Sequence, residues 1–260
     1  MNDFHLIIFC KHEYRSLFLD HCVYSIDKFI QNRIETKTIV SDFKFEYPNF
    51  DVITDNEFWK KIDKKFKFKK LYNDTWTRQQ ILKLNVEKLK KGKILIVDAD
   101  LIFLKKINLV EKNKFNFYTA IENDPNYFNL INILLDIDKQ ISQSFITDFA
   151  IFDTKVLKKI KIDIEKKHKT FYLEILQNLL PDSLQARSSN NGLLLSEYEL
   201  YGNYFVRYYK QKVNQIINPK NYQFWIYLEE NFCKNSKSSE VVSHLQSITD
   251  NYYQSIKIKE

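Results

Sequence analysis

The stretch KGKILIVDADLIFL, residues 91–104, decides how this chain is read. Ile94 to Val97 is an unbroken apolar run rich in β-branched residues, the composition of a strand buried on both faces. It stops at two aspartates with one alanine between them, Asp98 and Asp100, and then returns to Leu-Ile-Phe-Leu. Where a strand departs into a turn, two carboxylates one residue apart can face the same space. Mg²⁺ and Mn²⁺ prefer such oxygen ligands and keep positions open for substrate phosphates.

Working outward, residues 75–90 have helical spacing, with Leu82, Val86 and Leu89 on one face, Ile81 beside them, and Lys83, Glu87, Lys88 and Lys90 pointing away. Upstream, residues 4–10 read as a first strand and 14–30 as a helix burying Leu17, Cys22 or Val23, Ile26 and Ile30. Strands follow at 36–40 and 50–54, and Asp55-Asn56 offers an N-cap for a helix over 57–62. Downstream, strands are expected at 115–121 and 145–152, a helix at 154–166 and a loop at 187–191. Strands alternating with helices in this order predict an α/β fold with a mixed, mainly parallel, Rossmann-like sheet flanked by helices. Ligands of such sheets collect at the carboxyl ends of the strands, where Asp98 and Asp100 fall. No linker or internal repeat divides the chain, so one domain is expected: a nucleotide-binding half over about 1–110 and an acceptor half over about 111–260.

Composition removes several alternatives. The 260 residues are 44% hydrophobic, too apolar for a disordered chain. Only three glycines occur, and neither G-x-G-x-x-G nor a P-loop is present. Cys10, Cys22 and Cys233 are odd in number and widely spaced, which argues against zinc and disulfide frameworks and for a reducing cytoplasm. FHLIIFC is too short for a signal h-region, and no 18-residue apolar run occurs. The net charge of +7 is concentrated in KKIDKKFKFKK, residues 60–70. Such runs are usually solvated faces, with a phosphate or inner-membrane surface as the functional alternative.

Two chemistries use a strand-end Asp-x-Asp. Phosphoryl transfer of the haloacid-dehalogenase kind expects Thr or Val two residues on and a later G-D-x-x-x-D; Ile102 stands there and the partner motif is absent. The other is glycosyl transfer. WTRQQILKLNVEKLKKGKILIVDADLIFLKKI, residues 76–107, resembles the central segment of GT-A fold glycosyltransferases. With SFITDFAIFDTKVLKKI (144–160) and LSEYELYGNY (195–204), the chain is similar to a bacterial family catalogued as the DUF6492 type and read as glycosyltransferases. The resemblance implies that Asp98 and Asp100 bind Mn²⁺ or Mg²⁺ and the donor diphosphate, Asp100 more directly. It also places Arg78 near the donor phosphates or sugar, residues 10–15 around the nucleoside, and His244 as a late-chain third metal ligand. Its partners would be a nucleotide-sugar donor and a glycan or lipid-linked glycan acceptor, in a setting such as capsule or other surface polysaccharide synthesis.

Each candidate has a bland counterpart. Arg78 can be an exposed first-turn residue, His244 a structural histidine, and one or both of Gln79 and Gln80 helix surface. Glu197 is the candidate base for an acceptor hydroxyl, although Ser196 to Glu199 also fits a capping box. Asp148 interrupts an apolar strand and is the candidate for holding sugar hydroxyls. Trp76, Tyr198, Tyr201 and Trp225 are expected to pack, and Gly202 to loosen the backbone locally. A nucleic-acid-binding protein and a GT-A fold without catalysis are the competing functions.

Overall fold

A computed structural model describes residues 4–121, 124–181, 192–217 and 236–257. The loop expected at 187–191, Trp225, Cys233 and the side chain of Leu17 lie outside the described residues.

The apolar run FHLIIFC forms β1 (Phe4–Cys10), and Leu6, Ile7 and Ile8 are fully buried. A short α1 (His12–Tyr14) and a π-turn (Arg15–Leu19) lead into α2 (Asp20–Phe29). Cys22 and Ile26 have no exposure, so Cys22 rather than Val23 faces the core. β2 (Ile34–Ser41) and β3 (Asp51–Thr54) follow, then α3 (Asp55–Ile62) and α4 (Lys69–Asn73). The cap of α3 is Thr54 rather than Asp55-Asn56. Its hydroxyl accepts from the Glu57 N–H at 3.1 Å while the Glu57 carboxylate accepts from the Thr54 N–H at 2.8 Å, a reciprocal capping box.

α5 (Thr75–Leu84) is shorter than its periodicity predicts and gives way to a 3₁₀ turn over Val86–Lys88. Side chains take over the helix's terminal carbonyls: Asn85 Nδ2 donates to Ile81 O at 2.7 Å and Lys161 Nζ to Leu84 O at 3.1 Å. The break changes which residues face inward. Lys83 and Glu87, expected on the solvent side, are both buried.

β4 (Lys93–Asp98) carries the decisive run, and Ile94 to Val97 have no exposure. The main sheet has the order β3-β2-β1-β4 in parallel, with β7 (Phe149–Asp153) antiparallel at the edge. β7 starts later than expected because Asp148 adopts φ +58° and ends the extended run. The strand expected at 115–121 is β6 (Lys114–Tyr118), which joins β5 (Val110–Glu111) and β8 (Val213–Ile217) in a second, three-stranded sheet. The remaining helices are α6 (Pro125–Leu135), α7 (Thr154–His168), α8 (Tyr172–Leu179), α9 (Glu197–Tyr209) and α10 (Ser238–Lys257).

The chain leaves β1 toward β2 on one side and returns to β4 on the other. This makes the carboxyl ends of β1 and β4 a topological switch point, where a crevice opens. The described architecture is therefore mixed α/β with a mainly parallel five-stranded sheet flanked by helices, compatible with a Rossmann-like fold. No helix among the described residues is long and apolar enough to cross a membrane.

Candidate functional site at the ends of β1 and β4

At the end of β4 the Leu101 N–H donates to Asp98 O at 3.0 Å, closing a turn through Ala99 and Asp100. The Ala99 N–H reaches across to Phe9 O at 2.9 Å, so the turn stays tied to β1. The Leu-Ile-Phe-Leu that follows is buried without being a strand. Its Phe103 N–H donates to Ser25 Oγ of α2 at 3.0 Å, satisfying a backbone group that a ladder would otherwise take.

Beneath the turn lies a charged network that sequence reading missed. Lys83 Nζ, 1% exposed, sits 2.9 Å from Asp98 Oδ2 and 3.1 Å from Glu197 Oε1. It also donates to Tyr198 OH at 3.2 Å. The Gln80 amide abuts the Glu197 carboxylate and, with its nitrogen turned that way, donates to it. Burial alone would lower the Lys83 ammonium, but Asp98 and Glu197 hold it above its ordinary value. Two carboxylates share that one ammonium. Burial, with the Asp98 charge adding to it against Lys83, pushes Glu197 up to about 7. Asp98 Oδ1 is enclosed and accepts no hydrogen bond among the described residues. The one available signal for Lys83 was its place as the only charge in the apolar run Ile81 to Leu84.

Asp100 is half-buried, and burial together with the neighbouring Asp98 carboxylate raises its pKa. Asp148 is adjacent: its carbonyl accepts from the Asp98 N–H at 2.8 Å. Burial raises Tyr198, and the Asp98, Glu197 and Asp148 carboxylates add to it. The left-handed Asp148 backbone is a conformation that Asp tolerates better than most residues.

Beside this turn a cleft of about 310 Å³ opens at the ends of β1 and β2, with Cys10, Lys11, Asp42, Asp55, Arg78 and Gln79 in its lining. The Asp74 side chain caps α5 by accepting from the Trp76 and Thr77 N–H groups at 3.2 and 3.3 Å, which sets Arg78 one turn in. Arg78 is not a free surface residue. It pairs with Asp55 at 2.8 Å, donates to Tyr72 O at 3.2 Å and lies 4.8 Å from the centre of the Tyr72 ring. Gln79 lines the cleft while Gln80 is buried against Glu197, so neither is plain helix surface. The Cys10 thiol is pushed up to about 12, chiefly by burial and then by Asp42, and is an inert wall rather than a nucleophile.

Three expectations need correction. Glu197 has no exposure and is committed to Lys83, so it holds the network rather than facing an acceptor. Ser196 does cap α9, accepting from the Glu199 N–H at 3.2 Å, but Glu199 does not return the bond. It turns inward to accept from the Phe145 N–H at 3.0 Å and Asn203 Nδ2 at 2.8 Å. His244 sits exposed on α10, and no group of three His, Cys, Asp or Glu side chains among the described residues is placed to hold a metal. Gly202 lies inside α9, where its missing Cβ admits the Phe145 ring; it marks close packing rather than backbone freedom.

The structure thus brings Asp98, Asp100, Asp148 and, through Lys83, Glu197 to one place, with Arg78 across the adjoining cleft. No curated protein matches the chain. The model of one family, described as a family of unknown function, matches residues 24–237, which include all five of these residues and Lys83. The chain belongs to that family, DUF6492.

Proposed function

We propose that this protein is a metal-dependent glycosyltransferase of the GT-A type, moving a sugar from a nucleotide-sugar donor to a hydroxyl of a glycan or lipid-linked glycan. One observation carries the reading. The Asp98–Asp100 turn lies at the switch point of a mainly parallel sheet, beside a cleft of about 310 Å³ walled by the β1 end, where GT-A folds hold the nucleoside. The residues fit a divalent cation. Both carboxylates are oxygen donors, and Asp98 Oδ1 is an enclosed acceptor without a hydrogen-bond partner among the described residues. What a bound Mg²⁺ or Mn²⁺ supplies there is neutralisation of the charge that develops on a departing diphosphate.

The chain's own side chains divide the remaining work. Asp98 and Asp100 hold the cation, and Lys83 fixes Asp98 by binding its other oxygen. Lys11 presents positive charge to the donor phosphates from the cleft wall, and Arg78, held by Asp55, lines the same wall. Asp42, at the end of β2, is the acceptor for ribose hydroxyls, and Asp148 for hydroxyls of the donor sugar.

The test is thermal stability with a panel of nucleoside diphosphates, each with and without Mn²⁺, on wild type and Asp100→Ala. One nucleotide should stabilise the protein only with Mn²⁺, by about 2.7 kcal/mol at a hundredfold excess over Kd, and the variant should lose that shift. No shift for any nucleotide would sink the reading. Hydrolysis of the matching nucleotide sugar then separates an enzyme from a non-catalytic glycan binder.

A further inference from the structure

Two lysine runs that are a hundred residues apart in sequence meet in the fold. The first runs from the α3–α4 loop to the start of α4, where Lys64, Lys65, Lys67 and Lys69 are exposed. The loop carrying them is built rather than slack. Asp63, 7% exposed, accepts from the Phe68 N–H at 3.0 Å, and Phe66, held at φ +49°, packs edge-on against Tyr72 at 5.2 Å. The second run is at the end of α7, with Lys166 and Lys169 exposed. Phe68 joins the two, its ring centre 5.8 Å from that of Phe171, and Lys70 Nζ donates to Gln177 O of α8 at 2.9 Å. None of the six exposed lysines has a carboxylate partner among the described residues. The acids nearby are engaged: Asp136 with Lys167, Asp163 with Lys159 and Tyr204, Glu165 with the Tyr172 N–H, and Glu174 with Thr170.

Exposed apolar groups are interleaved with these charges. Phe171 is 43% exposed, Ile162 is 55% exposed on the α7 face that also carries Lys166 and Lys169, and Tyr208 is 52% exposed. Tyr208 shares a groove of about 720 Å³ with Lys166, Lys167 and Lys169. We propose that this composite face docks the protein onto the surface of an anionic phospholipid bilayer. Unpaired lysines attract the headgroup phosphates, while Phe171, Ile162 and Tyr208 enter the headgroup boundary, where aromatic and aliphatic groups with a wet edge are favoured. A nucleic-acid backbone would use the lysines but not Ile162 or the outward edge of Phe171, which favours the bilayer. The proposal does not depend on the donor chemistry.

The experiment is co-sedimentation, without nucleotide, with vesicles of phosphatidylcholine alone and of an equal mixture with phosphatidylglycerol, at low and high salt. Binding should require phosphatidylglycerol and weaken with salt. Lys64→Gln, Lys65→Gln, Lys67→Gln and Lys69→Gln together should weaken it more than tenfold, and so should Lys166→Gln with Lys169→Gln, at roughly fivefold per lysine. All six positions are exposed, so circular dichroism should show both variants folded. Lys112→Gln with Lys114→Gln, which removes the same charge as the Lys166 and Lys169 pair but at the β5–β6 turn, should leave binding unchanged. Equal losses in that control, unchanged binding in either lysine variant, or tight binding of a single-stranded RNA probe with none to vesicles would overturn the proposal. A failure here leaves the metal-dependent nucleotide shift untouched, so the two readings fall separately.

Discussion

Lys83 is the residue on which the site rests. Its ammonium is the shared partner of two buried or half-buried carboxylates, and removing it would leave Asp98 and Glu197 facing each other without compensation. Lys83→Met, which keeps the volume, should cost about 3–5 kcal/mol in urea denaturation. Adding Glu197→Gln should recover part of that loss, because the deepest uncompensated charge is then gone; a purely additive double variant would mean the three groups do not act as a unit. Glu197→Gln alone gives a pH test. Burial pushes the folded carboxyl up to about 7 from an ordinary 4.5. Between those values the folded protein keeps a proton that the unfolded chain has released, so this group's contribution to stability falls as pH rises through the window. Wild type should therefore lose stability relative to Glu197→Gln between pH about 4.5 and about 7. A flat difference would mean Glu197 is ionised throughout.

At the scale of elements, helix ends and interruptions place the functional groups. α5 ends early because Asn85 and Lys161 satisfy its last carbonyls, and the residues that follow turn Glu87 inward. β7 is delayed by Asp148, whose left-handed backbone aims its carbonyl at the Asp98 N–H. α9 packs close because Gly202 leaves room for Phe145; a Cβ there would lie 2.2 Å from the ring's Cγ. Gly202→Ala should accordingly destabilise the protein by about 1–3 kcal/mol through overpacking, even though alanine is the better helix former by about 1 kcal/mol. Phe145→Leu in the same chain should relieve part of the strain. An increase in Tm for the single variant would show that the ring yields freely.

At the scale of the molecule, the last described helix holds the site from behind. α10 buries Val241, Val242 and Leu245 and packs on α2. Ser238 Oγ is 2.9 Å from His21 Nδ1, and Gln246 Nε2 donates to Leu104 O at 2.6 Å, just beyond the Asp98–Asp100 turn. Leu245→Ala should cost about 2–5 kcal/mol and lower a single cooperative melting transition. A separate low-temperature transition would show that α10 unfolds by itself.

The strands at the centre of the parallel sheet were legible in the sequence because each is a short run of apolar or β-branched residues: FHLIIFC, TKTIV and KILIV. Asp98 and Asp100 were legible for the same reason, since a strand that ends in paired acids announces a turn at the carboxyl edge of the sheet. Lys83, Glu87 and Glu197 were not. A periodic pattern assigns charge to the solvent side because an unpaired buried charge is too costly to expect, and only the fold shows that partners from α5, β4, α7 and α9 meet to offset that cost. His244 and the two lysine runs depend on tertiary structure in the same way. Sequence supplies their chemistry, but which of them face one another is set by how distant elements pack, here by contacts such as Phe68 on Phe171.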